Sequence, residues 1–276
     1  MSAPTPYADG LKAFALSRDD DGVLTVRFHS RGGPMTWTAV AHREAPTLFA
    51  AIAADPGNRA VILTGTGERF IDTPTGYGDV YRSGKVKPHD WERGIWEANR
   101  LLTALLDIQV PVIAAINGPV TGHAELPLLA DIVLAAEDTY FQDAAHVPNN
   151  LIPGDGVHVV WPALLGPNRA RYFLLTGEKI RAAEARALGI VAEVLPRDRV
   201  LPRAHELART LLETDPLVLR YTRHLLLRPM RRALADELNV GLGLEAYASI
   251  SRFPAFIERP TGPPTDQPTD PPEGES

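Results

Sequence analysis

Pro111-Val-Ile-Ala-Ala-Ile-Asn-Gly-Pro-Val-Thr-Gly-His-Ala-Glu125 opens with five consecutive apolar residues, Val112 to Ile116, and then breaks into a Pro/Gly-punctuated turn that holds His123. So short an apolar run, closed by Asn-Gly-Pro, reads as a strand buried on both faces between helices. Ala60 to Thr64 and Ile132 to Ala135 have the same character. Val23 to Phe28 alternates apolar with polar residues, as a half-buried strand does. Helical patterns separate these strands. One covers His42 to Ala54, and another covers Trp91 to Leu106 after Pro88 and an Asp90 cap. Beyond Trp161 helix follows helix, at about 161–175, 181–188, 200–213, 216–228 and 230–249, so the chain divides near residue 160 into a strand-rich and a helix-rich half. The fold class is therefore α/β, a core followed by a C-terminal helical extension.

Composition narrows the function classes. The chain has 276 residues, 45% hydrophobic and 22% charged, with a formal net charge of -6, which disfavours a nucleic-acid or anionic-membrane surface. No apolar run approaches the ~20 residues needed to span a bilayer. Met1 to Gly10 is polar and carries Pro4, Pro6 and Asp9 where a signal peptide needs an apolar stretch, so a cytoplasmic location is expected. With no cysteine, thiolate nucleophiles and cysteine-zinc sites are excluded. Pro260 to Ser276 is rich in Pro, Thr, Asp and Glu, with almost nothing to bury, and reads as a disordered tail. Arg231 and Arg232 read as a solvated face or an ion-pair surface rather than a phosphate site.

The second informative stretch is His146-Val-Pro-Asn-Asn-Leu-Ile-Pro-Gly-Asp-Gly156, which sets a histidine and an aspartate on one short loop. A carboxylate beside an imidazole fixes its tautomer and raises its basicity, so the pair can take a proton from water. Asp155 reads equally well as the cap of the following helix, and spacing does not separate the two. His29, His42, His89, His158, His205 and His224 are read as structural.

Several motifs carry a family resemblance. Val61-Ile-Leu-Thr-Gly-Thr-Gly67, Pro111 to Gly118, Asp131-Ile-Val-Leu-Ala-Ala136 and Phe141-Gln-Asp143 resemble, in order and spacing, the crotonase (enoyl-CoA hydratase/isomerase) superfamily over roughly residues 20 to 250. The resemblance implies a spiral of β-β-α turns, an oxyanion hole of two backbone N–H groups, C-terminal helices that build trimers, and enolate stabilisation as the shared chemistry. On that pattern residues 1–15 form an N-terminal arm, 16–200 the spiral core, 201–255 a helical trimerisation region and 256–276 the tail. The chain departs from the pattern at the oxyanion segments. Gly122 is followed by His123 and Ala124 in place of a Gly-rich run, and Ile71-Asp-Thr-Pro-Thr-Gly-Tyr-Gly78 places Pro74, which has no N–H, in the other segment.

One branch shares these departures. Pro88-His-Asp-Trp91, Asn117-Gly-Pro-Val-Thr121, Pro153-Gly-Asp-Gly156, His158-Val-Val-Trp-Pro162 and Arg171-Tyr-Phe-Leu-Leu-Thr-Gly177 resemble the 6-oxocamphor hydrolase (β-diketone hydrolase) branch. The resemblance implies a His146/Asp155 dyad, His123 with Trp37 in place of the oxyanion hole, and Glu245 as a late carboxylate. Trp96 and Asn149 fall on the pocket wall, where they are expected to contact substrate. The implied activity is hydrolytic retro-Claisen cleavage of a cyclic or bicyclic 1,3-diketone to a keto acid, with no metal or organic cofactor and no nucleic-acid or membrane partner, in a homotrimer or dimer of trimers. An acyl-CoA hydratase or isomerase and a non-catalytic scaffold are the alternatives.

Overall fold

A computed structural model describes residues 7–75 and 87–250. Its main sheet has six strands in the order β1 (Phe14–Arg18), β2 (Val23–Phe28), β3 (Ala60–Thr64), β4 (Val112–Ile116), β5 (Ile132–Ala136) and β8 (Glu193–Leu195). β1 runs antiparallel to β2, and every other neighbour pair is parallel. A second, two-stranded sheet pairs β6 (Tyr140–Phe141) with β7 (Ile180–Arg181).

The apolar runs behave as period-2 strands buried on both faces. Val61, Leu63, Val112, Ala114 and Ile116 enter one core, while Ala60, Ile62, Ile113 and Ala115 enter another on the opposite face. The larger core is roofed by α1 (Ala39–Ala54) and α2 (Pro88–Asp107). The smaller is covered by α7 (Arg197–Leu212), which presents Val200, Ala204 and Ala208 at four-residue spacing. The remaining α-helices among the described residues are α3 (Glu125–Leu128), α4 (Val157–Leu165), α5 (Pro167–Thr176), α6 (Ala182–Ala187) and α8 (Pro216–Ile250).

Five expectations need correction. β1 and the docked residues before it occupy part of the expected arm, with Tyr7 Oη 3.1 Å from Asp55 Oδ2. β7 and β8 interrupt the helical half: a strand of two or three residues is too short to show a period. β6, also two residues long, escapes for the same reason. The helix read over 161–175 is two helices, parted at Gly166, whose φ of +74° favours glycine. The helices read over 216–228 and 230–249 are one, α8, which runs through Pro229. Proline removes one ladder hydrogen bond but does not end a helix whose flanks are held by tertiary contacts. Here the hold includes buried Arg223, whose Nε lies 2.7 Å from Asp131 Oδ2 and whose Nη1 donates to the carbonyl of Leu106 at 2.9 Å. Arg231 pairs with Asp107 at 2.5 Å, in keeping with an ion-pair surface. The expected disordered tail lies outside the described residues. No helix among the described residues is long and apolar enough to cross a membrane.

α8 matters most for the site because it closes on the loop before α4 with backbone against backbone. A Cβ on Gly154 would lie 2.3 Å from the Gly241 carbonyl oxygen, and one on Gly241 would lie 2.5 Å from the Gly154 oxygen and 2.2 Å from His158 Cε1. Only glycine at both positions allows this approach. It brings Glu245, one turn beyond Gly241, to the loop that carries Asp155.

Candidate active site

A cavity of about 500 Å³ opens between the start of α1, the first turns of α2, the turn before α3 and the last third of α8. Trp37, His123, Asp155 and Glu245 all line it. His146 lies directly behind Asp155, buried, with its Nε2 3.4 Å from Asp155 Oδ2. Five of the seven predicted site residues are therefore brought together.

Asp155 does not cap the next helix. The N-cap of α4 is Gly156, at a φ of +119°, and no side chain bonds to that helix start. The carboxylate is instead shared between two imidazoles, His146 Nε2 and His123 Nδ1, the latter at 3.5 Å from Oδ2. Burial would raise its pKa, but the charges of His146 and His123 win and hold Asp155 well below the usual carboxylate range.

His123 sits at a φ of +44°, the left-handed region, at the tip of the Pro/Gly turn that follows β4. Its ring lies 4.5 Å from the Trp37 ring, centroid to centroid. Its Nδ1 is 2.8 Å from Oε1 of Glu125, a fully buried glutamate that opens α3. Burial opposes its charge, yet Glu125 and Asp155 together raise the His123 pKa. Burial in turn raises the pKa of Glu125, against the pull of His123. One donor atom each from His123, Glu125 and Asp155 falls within 4.8 Å of the others. Because the short contacts are imidazole nitrogens facing carboxylate oxygens, we read the cluster as a hydrogen-bonded charge network rather than a metal site.

Glu245 is buried and reaches the wall from α8. Burial pushes its pKa up to about 8, with the nearby Asp155 and Asp143 adding to the rise and His146 and His123 opposing it. This carboxyl therefore keeps its proton to higher pH than an ordinary glutamate does. The indole Nε1 of Trp37 and one oxygen each of Asp155, Glu125, Asp143 and Glu245 are buried and hydrogen-bond to nothing among the described residues. Unsatisfied buried polar atoms are costly, and so many in one place mark a site built for something other than its own stability.

Trp96 and Asn149 are not on the cavity wall. Trp96 is 59% exposed, on the outer face of α2, with the Arg100 guanidinium 5.0 Å from its ring centre. Its neighbours Ile95 and Glu97 face the cavity instead. Asn149 turns back on its own loop, donating from Nδ2 to the Ala144 carbonyl at 2.7 Å.

Sequence reasoning missed four groups. His42, read as structural, is on the wall, with its Nδ1 2.8 Å from Glu97 Oε2. Burial and the charge of His123 lower its pKa, against the pull of Glu97. Glu125 was visible only as the end of the His123 turn. Asp143 lies three residues before His146 and is the carboxylate held most tightly by it, Oδ1 to Nδ1 at 2.7 Å with both side chains buried. An Asp-x-x-His spacing was the available signal for that pair.

The enoyl-CoA hydratase/isomerase family model matches residues 18–249. Over 202 residues the chain is 30% identical to an enoyl-CoA hydratase/isomerase of Bacillus subtilis, covering 73% of this chain and 75% of that one. Over 211 residues it is 31% identical to a carnitinyl-CoA dehydratase of Salmonella arizonae, covering 76% and 77%. Among solved structures it superposes on a β-diketone hydrolase from the cyanobacterium Anabaena sp. PCC 7120, bound to (S)-3-oxocyclohexyl acetic acid, with a TM-score of 0.85 and 41% identity over 91% of this chain and 99% of that one. An enoyl-CoA hydratase/isomerase from Mycobacterium paratuberculosis gives a TM-score of 0.80 at 25% identity, over 88% and 95%. The chain belongs to the enoyl-CoA hydratase/isomerase family, and is an enzyme of the crotonase superfamily.

Proposed function

We propose that this enzyme hydrolyses the C–C bond between the carbonyls of a cyclic or bicyclic 1,3-diketone, giving a keto acid. The observation that carries the reading is the buried, unpartnered indole N–H of Trp37, set beside His123 on the wall of a cavity that also holds Asp155 and Glu245. Water attacks one carbonyl carbon and passes a proton to the Asp155–His146 pair. The oxyanion that forms is met by the Trp37 N–H and the His123 imidazole, side-chain donors worth about 2–4 kcal/mol each when aligned. Collapse of the tetrahedral adduct breaks the C–C bond. The electron pair leaves as an enolate, stabilised by the remaining carbonyl, and the carbon end takes a proton. Glu245, whose raised pKa keeps its proton to higher pH than an ordinary glutamate, is suited to supply it, and the proton that the Asp155–His146 pair took from water then restores Glu245. The ligand of the Anabaena hydrolase supports the same reading, since it joins a ring ketone to a carboxylic acid, the two groups that opening a bicyclic 1,3-diketone generates.

The test is to mix the protein with mono- and bicyclic 1,3-diketones, follow loss of the enol absorbance and identify the acid formed. No turnover of any such diketone overturns the proposal. The CoA-dependent relatives favour acyl-CoA hydration as the second reading. It requires coenzyme A to bind, so a flat calorimetric titration at millimolar coenzyme A removes it. We also infer that the exposed Leu217, Tyr221, Leu225, Leu244 and Tyr247 of α8 mate with other copies in a trimer or dimer of trimers, which sedimentation checks.

A further inference from the structure

We propose that Asp143 is a positioning residue for the reaction, acting through His146: it engages Nδ1 and so reserves Nε2 for proton exchange with Asp155 and the cavity. The proposal rests on the diketone reading for its chemistry, but its structural content stands on contacts alone. An imidazole offers two nitrogens, and which one carries a proton is set by the partner of the other. His146 has a carboxylate at each. The contact to Asp143 is short, 2.7 Å at Nδ1, whereas the contact to Asp155 is 3.4 Å at Nε2. A proton is therefore held at Nδ1 and exchanged at Nε2.

Asp143 is not on the cavity wall, and its side chain is only 3% exposed, so it touches no substrate. Its second oxygen, buried and without a partner among the described residues, leaves the imidazole as its principal hydrogen-bonding partner. The backbone keeps the pair in place. Ala144 N–H donates to the Thr121 carbonyl at 3.1 Å, tying this segment to the His123 turn, and the His146 carbonyl accepts from Asn149 and Leu151 at 2.8 and 2.9 Å. The charged groups facing His146 are Asp143 on its own loop, Asp155 from the turn before α4, His123 from the turn before α3 and Glu245 from α8. Burial would push the imidazole down, but Asp155 and Asp143 together hold it well above its ordinary value. In the cycle, a proton leaves the attacking water and reaches Nε2 through Asp155, which stands between the ring and the cavity, while the Nδ1 proton stays on Asp143's side of the ring.

The test reads imidazole nitrogens by NMR and pairs that reading with kinetics. In the wild-type enzyme, Nδ1 of His146 should remain protonated across the titration while Nε2 alone gains and loses its proton. A bare Nδ1 in the wild type overturns the proposal without any variant. In D143N, which is nearly isosteric, the His146 midpoint should fall. The acidic limb of the kcat profile should move to lower pH with it, and the plateau should drop on the order of 10²-fold. An unmoved midpoint in folded D143N overturns the proposal even if activity falls, because packing damage alone would then explain the loss. If the wild type cleaves no diketone, the functional reading fails and the NMR reading still decides whether Asp143 fixes the ring.

Discussion

His146 is buried behind the cavity and His42 half-buried on its wall, and each holds a carboxylate on Nδ1 at 2.7 to 2.8 Å, yet their basicities move in opposite directions. Burial costs both rings their charge. His146 recovers that cost from two carboxylates, one at each nitrogen, which hold its pKa well above the ordinary histidine value. His42 has Glu97 alone and faces the positive charge of His123, so burial prevails and its pKa falls. A hydrogen bond to one carboxylate therefore does not settle the charge of a buried histidine; the count of opposing charges around it does. The site is thus electrostatically polarised, with a raised imidazole pKa behind Asp155 and a lowered one on the α1 side.

The sharpest way to break this contrast is to strip His146 of its role. H146A should lower kcat by about 10³-fold or more with the protein still folded, because proton transfer is lost rather than a core contact. D155N, which leaves His146 with one carboxylate as His42 has, should cause a comparable loss and bring the His146 titration midpoint down. Near-normal turnover in both variants would end the dyad reading, and an unmoved midpoint in D155N would end the charge-count argument.

Next in size is Glu245, whose pKa of about 8 predicts a limb on the alkaline side. If the protonated form is the proton donor, kcat should fall as pH rises through about 8, and E245Q should lose roughly 10- to 10²-fold while losing that limb. Stability has its own sign. The folded state keeps this proton to higher pH than the unfolded chain does, so stability declines between the ordinary glutamate range and about pH 8. E245Q, which cannot ionise, should lose less stability than the wild type over that window in denaturant titrations at stepped pH.

How much of this was legible in the sequence follows the range of the interactions. The central strands were readable because Ala60 to Thr64 and Val112 to Ile116 are buried on both faces, and unbroken apolar runs report that directly. β8, three half-buried residues that add to a sheet edge through backbone bonds, leaves no such trace. Within the site, His146, Asp155 and His123 stood in loops that the sequence marked, while Trp37 and Glu245 were reached only through the family resemblance. Glu97 was reached by neither, since its meaning depends on α2 packing across α1 to place it 2.8 Å from a histidine 55 residues earlier. Trp96, placed on the pocket wall through the resemblance, stands on the exposed face of α2, because a likeness puts a residue on a helix without saying which of its neighbours meets the cavity, and here Ile95 and Glu97 do.

A smaller effect is expected at His42. H42Q removes a neutral ring from the wall and unpairs Glu97, but leaves the Asp155–His146 pair intact, so kcat should fall by less than 10-fold, with most of the change in KM. A loss as large as that of H146A would mean that proton transfer runs through both sides of the cavity.

The smallest effect should come from Trp96. An exposed tryptophan that only stacks with Arg100 at 5.0 Å contributes through a cation–π contact, worth about 0.5–1 kcal/mol at such a site. W96A should therefore shift stability by no more than that, and kcat/KM should stay within about 2-fold of wild type, because the side chain points away from the cavity that Ile95 and Glu97 line. The comparison to make is with I95A, one residue away on the same helix but on the wall, where loss of apolar area should raise KM for a diketone without touching kcat. If W96A raises KM as I95A does, the outer face of α2 takes part in recognition, and the proposed contact between copies of this chain is where the missing wall would have to be sought.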